Sequence, residues 1–429
     1  MKIAVIGAGY AGLISAVGWA GRGHDVACID ADAGKVSKIA KGVPPFFEKD
    51  LGERLRGVIN AGRLKAGTDF SAVPGSDVVV IAVGTPSLPD GSVDLAHVRS
   101  ACSAVAEELK KNGAFSVVAV RSTVLPGTTE KIAGPIIEKS GMRFGLAMVP
   151  EFLREGSALA DFDKPDRIVV GCSDEKTKAV MEELYKSFDC QKLFTDIKTA
   201  EMIKYASNAF LASRVALANE TANICQRVGI DSEEVLRGVG LDSRIGPHFL
   251  NPGPGFGGSC LPKDVKALAN HAKESGESVP ILHAITDSNS KQKLRLYEML
   301  SRIMPVSRKR IAVLGLAFKP DTDDVRESPA LALIQKLLEA GATVCAYDPE
   351  AMGSMRDAFP SVEYAGDWEE CLSGCDAALI VTAWPEFVKS AEEYKKALGN
   401  APLLDARRII KDAADAGLNY HPIGKSGWP

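Results

Sequence analysis

The sequence predicts an α/β chain: two parallel-sheet domains of Rossmann-like type joined by a long central helix. Three stretches carry that expectation. The opening reads "KIAVI", then "GAGYAG", an alanine-rich run and "DVACID". That is a short β-branched strand, a glycine turn, a helix and a second strand, which together make a βαβ unit. A block from Lys309, "KRIAVLGLAFKPD", echoes the opening, and "GATVCAYDPEA" and "CDAALIVTAWPEF" echo "GHDVACIDADA" and "SDVVVIAVGTPSL" in the same order. Three echoes in register imply a second domain of the same kind. Between the two, residues 199–228 contain neither glycine nor proline and are rich in alanine, as one long helix should be.

The first domain is expected over 1–198. After the βαβ unit, strand-like runs fall at 77–83, 116–123, 144–151 and 166–172, most of them separated by helical patterns. A parallel sheet with helices on both faces follows. A central helical region is expected over 199–300. Its long helix suits either a dimer core or a bridge between domains, and the sequence leaves both open. The last domain spans 301–429. Gly315 survives from the glycine turn there, but Ala317 and Pro320 stand where the later glycines would be. That turn is expected to receive something other than a dinucleotide pyrophosphate.

With 429 residues, 46% of them apolar, the chain can bury two or three cores, and its formal charge of −4 argues against nucleic acid or an anionic membrane as main partner. Nine scattered cysteines, with no C-x-x-C pair, fit a reducing, cytoplasmic setting. Cys371 and Cys375 lack the histidine or second pair that would complete a zinc site, so they are read as a helical core turn and no metal is expected. The apolar start carries glycines at 7, 9, 12, 18 and 21, which suit a turn and close helix packing better than a signal peptide. A mature N-terminus with no membrane span is expected.

Gly7, Gly9 and Gly12 form G-x-G-x-x-G between strand and helix. The three provide a tight turn, close approach of backbone to pyrophosphate, and close helix-to-sheet packing. Asp30 closes the second strand where a ribose-binding carboxylate should stand, and its charge would repel a 2′-phosphate. Lys35 lies nearby but no arginine follows Asp30 directly, so NAD is favoured over NADP.

Cys260 sits in "PGPGFGGSCLPKD" (252–264), behind four glycines and two prolines and ahead of Lys263 and Asp264. Most thiols outside disulfides are buried and inert, but this loop is shaped for close approach. Beside a nicotinamide, a nucleophilic thiol suggests a sequence of steps: alcohol to aldehyde, thiohemiacetal, thioester, acid. Lys204 and Asn208 are four apart on the long helix and share a face. Met202, Ile203 and Ala206 surround the lysine and favour its partial burial. Glu151 and Glu155 follow a strand end at helical spacing.

"GFGGSCLPKD", "VPEFLREGSALAD", "EMIKYASNAF" and "GLAFKPDTDDVRESPA" together resemble the nucleotide-sugar 6-dehydrogenases, over a span from Met1 to about Arg408. The flank "GLDSRIGPHFLNPGPGFGGSC" favours the UDP-glucose branch over the GDP-mannose branch. Lys35 stands where the family usually has arginine.

The resemblance implies an NAD-dependent four-electron oxidation of UDP-glucose at C6, giving two NADH. Cys260 would be the nucleophile. Lys204 and Asn208 would stabilise charge on the substrate oxygen, the lysine also sharing in proton transfer. Asp264 would position water or move its proton, Glu151 would serve thioester hydrolysis, and Thr123 would join the water network. The cofactor would meet Gly7, Gly9, Tyr10, Ala11, Gly12, Asp30, Lys35, Val83, Thr85, Pro86, Ser122, Thr123, Glu155 and Arg326. The sugar nucleotide would meet Glu151, Phe152, Leu153, Glu155, Lys204, Asn208, Arg244, Asn251, Phe256, Gly257, Phe318, Lys319 and Arg407. Arg244 would act across a dimer interface, which implies a homodimer or larger homo-oligomer. Three further readings stand beside this one. The first keeps the chemistry and changes the sugar nucleotide to GDP-mannose. A two-electron hydroxyacid dehydrogenase would have no thiol role, and a non-catalytic NAD-sensing module would show no sugar-dependent turnover.

Overall fold

The computed structural model describes residues 1–111, 114–413 and 416–425, which divide into two compact units, Met1–Ser207 and Asn208–Pro429. Among the described residues, the first unit holds β1 Lys2–Ile6, β2 Asp25–Ile29, β3 Leu64–Gly67, β4 Val78–Ile81, β5 Ser116–Val120, β6 Phe144–Met148, β7 Arg167–Cys172 and β8 Gln191–Thr195. They form one sheet in the order β3-β2-β1-β4-β5-β6-β7-β8. Its first six strands follow the 3-2-1-4-5-6 order of a dinucleotide-binding fold, whose switch point lies between β1 and β4. Every residue of β4 and β5 is buried, as strands covered by helices on both faces must be.

One strand departs from the expected parallel sheet. β7 pairs antiparallel to β6, Met148 opposite Gly171 and Ala147 opposite Cys172. The helix between them, Ala158–Asp163, has six residues and so spans about 9 Å. The helix Glu175–Tyr185 then leads into β8, which joins β7 in parallel.

In the second unit, β9 Arg310–Leu314, β10 Thr343–Tyr347, β11 Glu363–Tyr364, β12 Ala377–Ile380, β13 Leu403–Asp405 and β14 Tyr420–Pro422 pair in parallel in the order β11-β10-β9-β12-β13-β14. This is the 3-2-1-4-5-6 order again, so the echo between the two ends of the sequence is an echo of topology. The copy's ribose position is closed. Asp348, placed after β10 as Asp30 is after β2, is fully buried. Its Oδ2 accepts from the Leu316 and Ala317 amides at 2.6 and 3.0 Å and from the Trp384 indole at 2.9 Å. Its Oδ1 accepts from the amides of Glu350 and Ala351 at 3.0 and 2.9 Å. Five donors saturate the carboxylate, which leaves it nothing to offer a ribose hydroxyl.

The long helix runs Ile197–Val228. It starts where Asp196 accepts from the Thr199 amide at 2.9 Å and stops before Gly229, whose φ is +78°. Helices Ser232–Gly240, Leu261–Glu274, Pro280–Gln292 and Arg295–Ile303 follow it. Cys371 and Cys375 are buried core residues, and the Cys375 thiol donates to the Cys371 carbonyl. Among the described residues, no His, Cys, Asp or Glu cluster is placed to hold a metal ion, and no helix is long and apolar enough to cross a membrane.

Candidate active site

The glycine turn is built by the fold and open toward a ligand. Gly7 has φ +102°, and a Cβ there would fall 2.6 Å from the Ala82 carbonyl oxygen. A Cβ on Gly12 would fall 1.9 Å from the Gly7 oxygen, so the helix Tyr10–Gly21 can approach β1 only with glycine at 12. At Gly9 a Cβ would meet nothing within 4 Å. The helix begins there with no side-chain cap and no acidic residue in its first turn. An anion can therefore reach its first amide groups. Asp30 is held beside the turn by the Ala8 amide at 2.7 Å, the Asp32 amide at 3.0 Å and the Lys35 ammonium at 3.2 Å. Burial opposes its ionisation, but the two amides and Lys35 outweigh it and hold the carboxyl below its ordinary range.

The loops after β4 and β5 are tied at the same end of the sheet. Thr85 Oγ1 donates to the Thr123 carbonyl at 2.9 Å, and Ser122 Oγ to the Val83 carbonyl at 2.7 Å. Glu201, fully buried on the long helix, accepts the Gly127 and Thr129 amides at 2.5 and 2.8 Å and so anchors the turn that follows Thr123.

The segment after β6 is irregular, although the glutamates at 151 and 155 have helical spacing. Side chains take its backbone groups, Lys204 among them. The Lys204 Nζ donates to the Glu151 carbonyl oxygen at 2.7 Å, the acceptor a helix would have given to residue 155, and to Glu151 Oε1 at 3.0 Å. Glu151 Oε2 accepts the Leu153 amide at 2.7 Å. Lys204 is 4% exposed, so this ion pair is buried. Burial alone would push the Glu151 carboxyl up; Lys204, then Arg121, then the Leu153 amide bring it below its ordinary value. Arg121 is itself buried, with Nε donating to Ser15 Oγ at 2.8 Å. Phe152 lies under the Arg167 guanidinium, 4.0 Å from its ring centroid.

In the second unit, side-chain amides clamp the glycine-rich loop. Asn219 accepts the Gly253 amide at 2.8 Å, and Gln292 donates to the Gly253 carbonyl at 2.7 Å. Asn289 accepts the Phe256 amide at 2.8 Å and donates to the Phe256 carbonyl at 2.9 Å. The loop's other side lies on the segment after β9. A Cβ on Gly257 would fall 2.4 Å from the Glu327 oxygen, and one on Gly258 (φ +81°) 2.9 Å from the Phe318 ring. Two of the four glycines thus serve packing of chain on chain.

The loop delivers Cys260 to the N-cap of helix Leu261–Glu274, exposed, with Ser259 Oγ 3.5 Å from its sulfur. Elsewhere, burial pushes the Cys28 and Cys102 thiols up to about 12, which keeps them inert. One turn into the helix, Asp264 is 1% exposed. It accepts Asn208 Nδ2 at 2.6 Å on one oxygen and Lys263 Nζ at 2.6 Å on the other.

Sequence models of the UDP-glucose/GDP-mannose dehydrogenase family match in three consecutive stretches: the NAD binding domain on 1–189, the central domain on 198–291 and the UDP binding domain on 312–412. The chain belongs to the UDP-glucose/GDP-mannose dehydrogenase family. It is 42% identical to a UDP-glucose 6-dehydrogenase of Haloferax volcanii, covering 99% of this chain and 100% of that one. A solved UDP-glucose dehydrogenase from Pyrobaculum islandicum superposes with a TM-score of 0.93 at 39% identity, over 99% of this chain and 98% of that one. A UDP-D-ManNAc dehydrogenase from Pyrococcus horikoshii gives 0.86 at 32% identity, over 99% of each chain. The first sheet is therefore the family's NAD-binding domain, and the open glycine turn beside Asp30 fits that cofactor.

The remaining residues expected from the dehydrogenase family fall into two groups. Phe256, Gly257 and Phe318 lie together in the clamped loop and its partner segment, and Arg407 joins them, since a Cβ on Gly253 would fall 2.9 Å from its guanidinium. Arg407 Nε donates to the Val381 carbonyl at 2.8 Å, and burial lowers the guanidinium's pKa. Lys319 Nζ lies 5.7 Å from the Phe318 ring centroid. Asn251 is exposed at the loop's start. Arg326 and Arg244 reach outward. Arg326 forks onto Asp324 at 2.9 and 2.7 Å. Arg244, 88% exposed, forks onto Asp242 at 3.0 and 2.6 Å. Sequence reasoning missed Arg121, Glu201 and the amide trio Asn219, Asn289 and Gln292. Arg121, next to "STV", had a sequence signal; the amides, scattered over 74 positions, had none.

Proposed function

We propose that this dehydrogenase oxidises UDP-glucose at C6 to UDP-glucuronate through a covalent intermediate on Cys260. The observation that carries the reading is the exposed thiol at a helix N-terminus, one turn from the buried Asn208–Asp264–Lys263 cluster. The near-full-length likeness to enzymes named for UDP-glucose supports the substrate, and the match to a UDP binding domain supports the nucleotide.

Bound NAD supplies the hydride acceptor for both oxidations, one molecule for each. The glycine turn would receive its pyrophosphate and Asp30 its ribose. The positive end of helix Leu261–Glu274 favours an anionic sulfur, which adds to the C6 aldehyde to give a thiohemiacetal. Lys204 and Asn208 donate to the oxygen as charge develops on it. Once that carbon is oxidised to the thioester, water attacks, the C–S bond breaks, and the sulfur leaves as thiolate with the product as carboxylate. Glu151, ionised beside Lys204, would take the water's proton, a role Asp264 would share.

The test is a yield. UDP-glucose added in limiting amount should give two NADH per sugar, and GDP-mannose none. One NADH per sugar would instead favour the two-electron hydroxyacid dehydrogenase.

We also propose a second copy of the chain as partner. Phe210, Leu217 and Ile224 recur every seven residues on the long helix and are exposed, so they form an apolar seam on one face. The outward Arg244 is free of the clamped loop and suits a role across that interface. Sedimentation should give at least twice the 45.5 kDa chain mass. Leu217→Asp should shift the equilibrium to monomer; a monomeric parent protein would refute the pairing.

A further inference from the structure

Glu48 lies outside every motif read from the sequence, in the irregular segment between helices Ala33–Ala40 and Leu51–Asn60. It is 6% exposed, and three donors from two distant parts of the chain converge on it. The Tyr10 hydroxyl and the Gly156 amide both donate to Oε2, the amide at 2.6 Å, while the Ala158 amide donates to Oε1 at 2.8 Å. Tyr10 is the first residue of the helix after the glycine turn. Gly156 and Ala158 belong to the turn that follows Glu155, where Ser157 makes no side-chain cap for helix Ala158–Asp163. Glu48 caps that helix from outside. Tyr10 adds a second strap, its hydroxyl lying 3.3 Å from the Arg154 carbonyl oxygen, and its ring rests on Phe46 with centroids 5.2 Å apart. Burial, and then the bond to Glu48, push the Tyr10 pKa far up, so the hydroxyl keeps its proton and stays a donor.

We propose that Glu48 is a positioning residue: by binding Tyr10 and the 156–158 turn at once, it fixes segment 151–155 against the pyrophosphate turn. The proposal rests on the reading that this segment serves the substrate and the nicotinamide. A carboxylate is required because two oxygens must accept three donors. A glutamine has one acceptor oxygen and an NH₂, so either orientation sets N–H against N–H or O–H.

The test uses full-length Glu48→Gln, Tyr10→Phe and the double variant. Glu48→Gln should lower kcat by about tenfold or more, with NAD affinity close to the parent's and a lowered melting temperature. Tyr10→Phe should lose less, and the double variant should be no worse than Glu48→Gln, because both break one link. Hydrogen exchange should speed up at the Gly156 and Ala158 amides in Glu48→Gln. Parental kcat in a folded Glu48→Gln, or losses that multiply in the double variant, would overturn the proposal. If Glu48→Gln does not fold, Tyr10→Phe reads the same link through kcat and Gly156 exchange. If the parent makes no NADH from UDP-glucose, the functional reading fails, and the exchange rates still decide whether Glu48 holds the turn.

Discussion

Cys260→Ser should form no UDP-glucuronate at a measurable rate while remaining fully folded. Loss of a covalent nucleophile costs on the order of 10⁴-fold or more in turnover, and a serine hydroxyl cannot replace a thiolate here without a base to activate it. Folding should be untouched, because Cys260 is exposed and occupies an N-cap, a position serine favours. The melting temperature should therefore equal or slightly exceed the parent's. Product analysis by chromatography and NADH absorbance reads the outcome. A Cys260→Ser enzyme that still makes the acid at parental rate would remove the thiol from the mechanism.

Lys204→Ala should be nearly as severe and for a different reason. Two effects add. The oxygen that gains charge in each step loses a cationic donor, worth on the order of 10²–10³-fold in turnover. Glu151 also loses its partner, and breaking a buried ion pair by removing one side costs about 3–5 kcal/mol. The two effects separate by pH. In the parent, the Glu151 carboxyl is held below its ordinary 4.5 against burial, with Lys204 as the largest favourable cause. A depressed pKa contributes stability that is present above 4.5 and is lost as pH falls through the folded value. Without Lys204 the carboxyl loses its largest favourable cause, so the variant should lose less stability than the parent as the pH falls below 4.5. NAD affinity should not change, because the groups expected to hold NAD are the glycine turn after β1 and Asp30 after β2. Lost NAD binding with retained turnover at saturating cofactor would refute the assignment.

Much of this was legible in the residue string because local constraints wrote it there. Gly7 needs a positive φ and Gly12 an absent Cβ, so the turn could be recognised from spacing. The echo between the two ends survived because strand and turn each demand the same residue types twice. What was not legible is long-range. The reversal of β7 is a pairing with β6 across an 18-residue connection, 149–166, beyond the reach of local pattern. Along the irregular path of 151–155 a backbone acceptor is taken by Lys204, fifty-three positions away, and an amide by Asp161. Glu48 likewise draws its donors from 38 positions before it and from 108 and 110 after it, which no local pattern records. The buried Asp348 shows the converse. Its strand-end position copies Asp30, and only the structure reveals that the fold has used up its oxygens.

The most direct measurement is the mass of the peptide carrying Cys260. Glu151→Gln, in which hydrolysis of the thioester should be slowed, is mixed with UDP-glucose and NAD and quenched in acid during turnover. This peptide, and no other, should gain the mass of a UDP-glucuronyl group. An enzyme that keeps producing UDP-glucuronate while that cysteine stays unmodified, or whose adduct sits on another residue, would contradict covalent capture by Cys260.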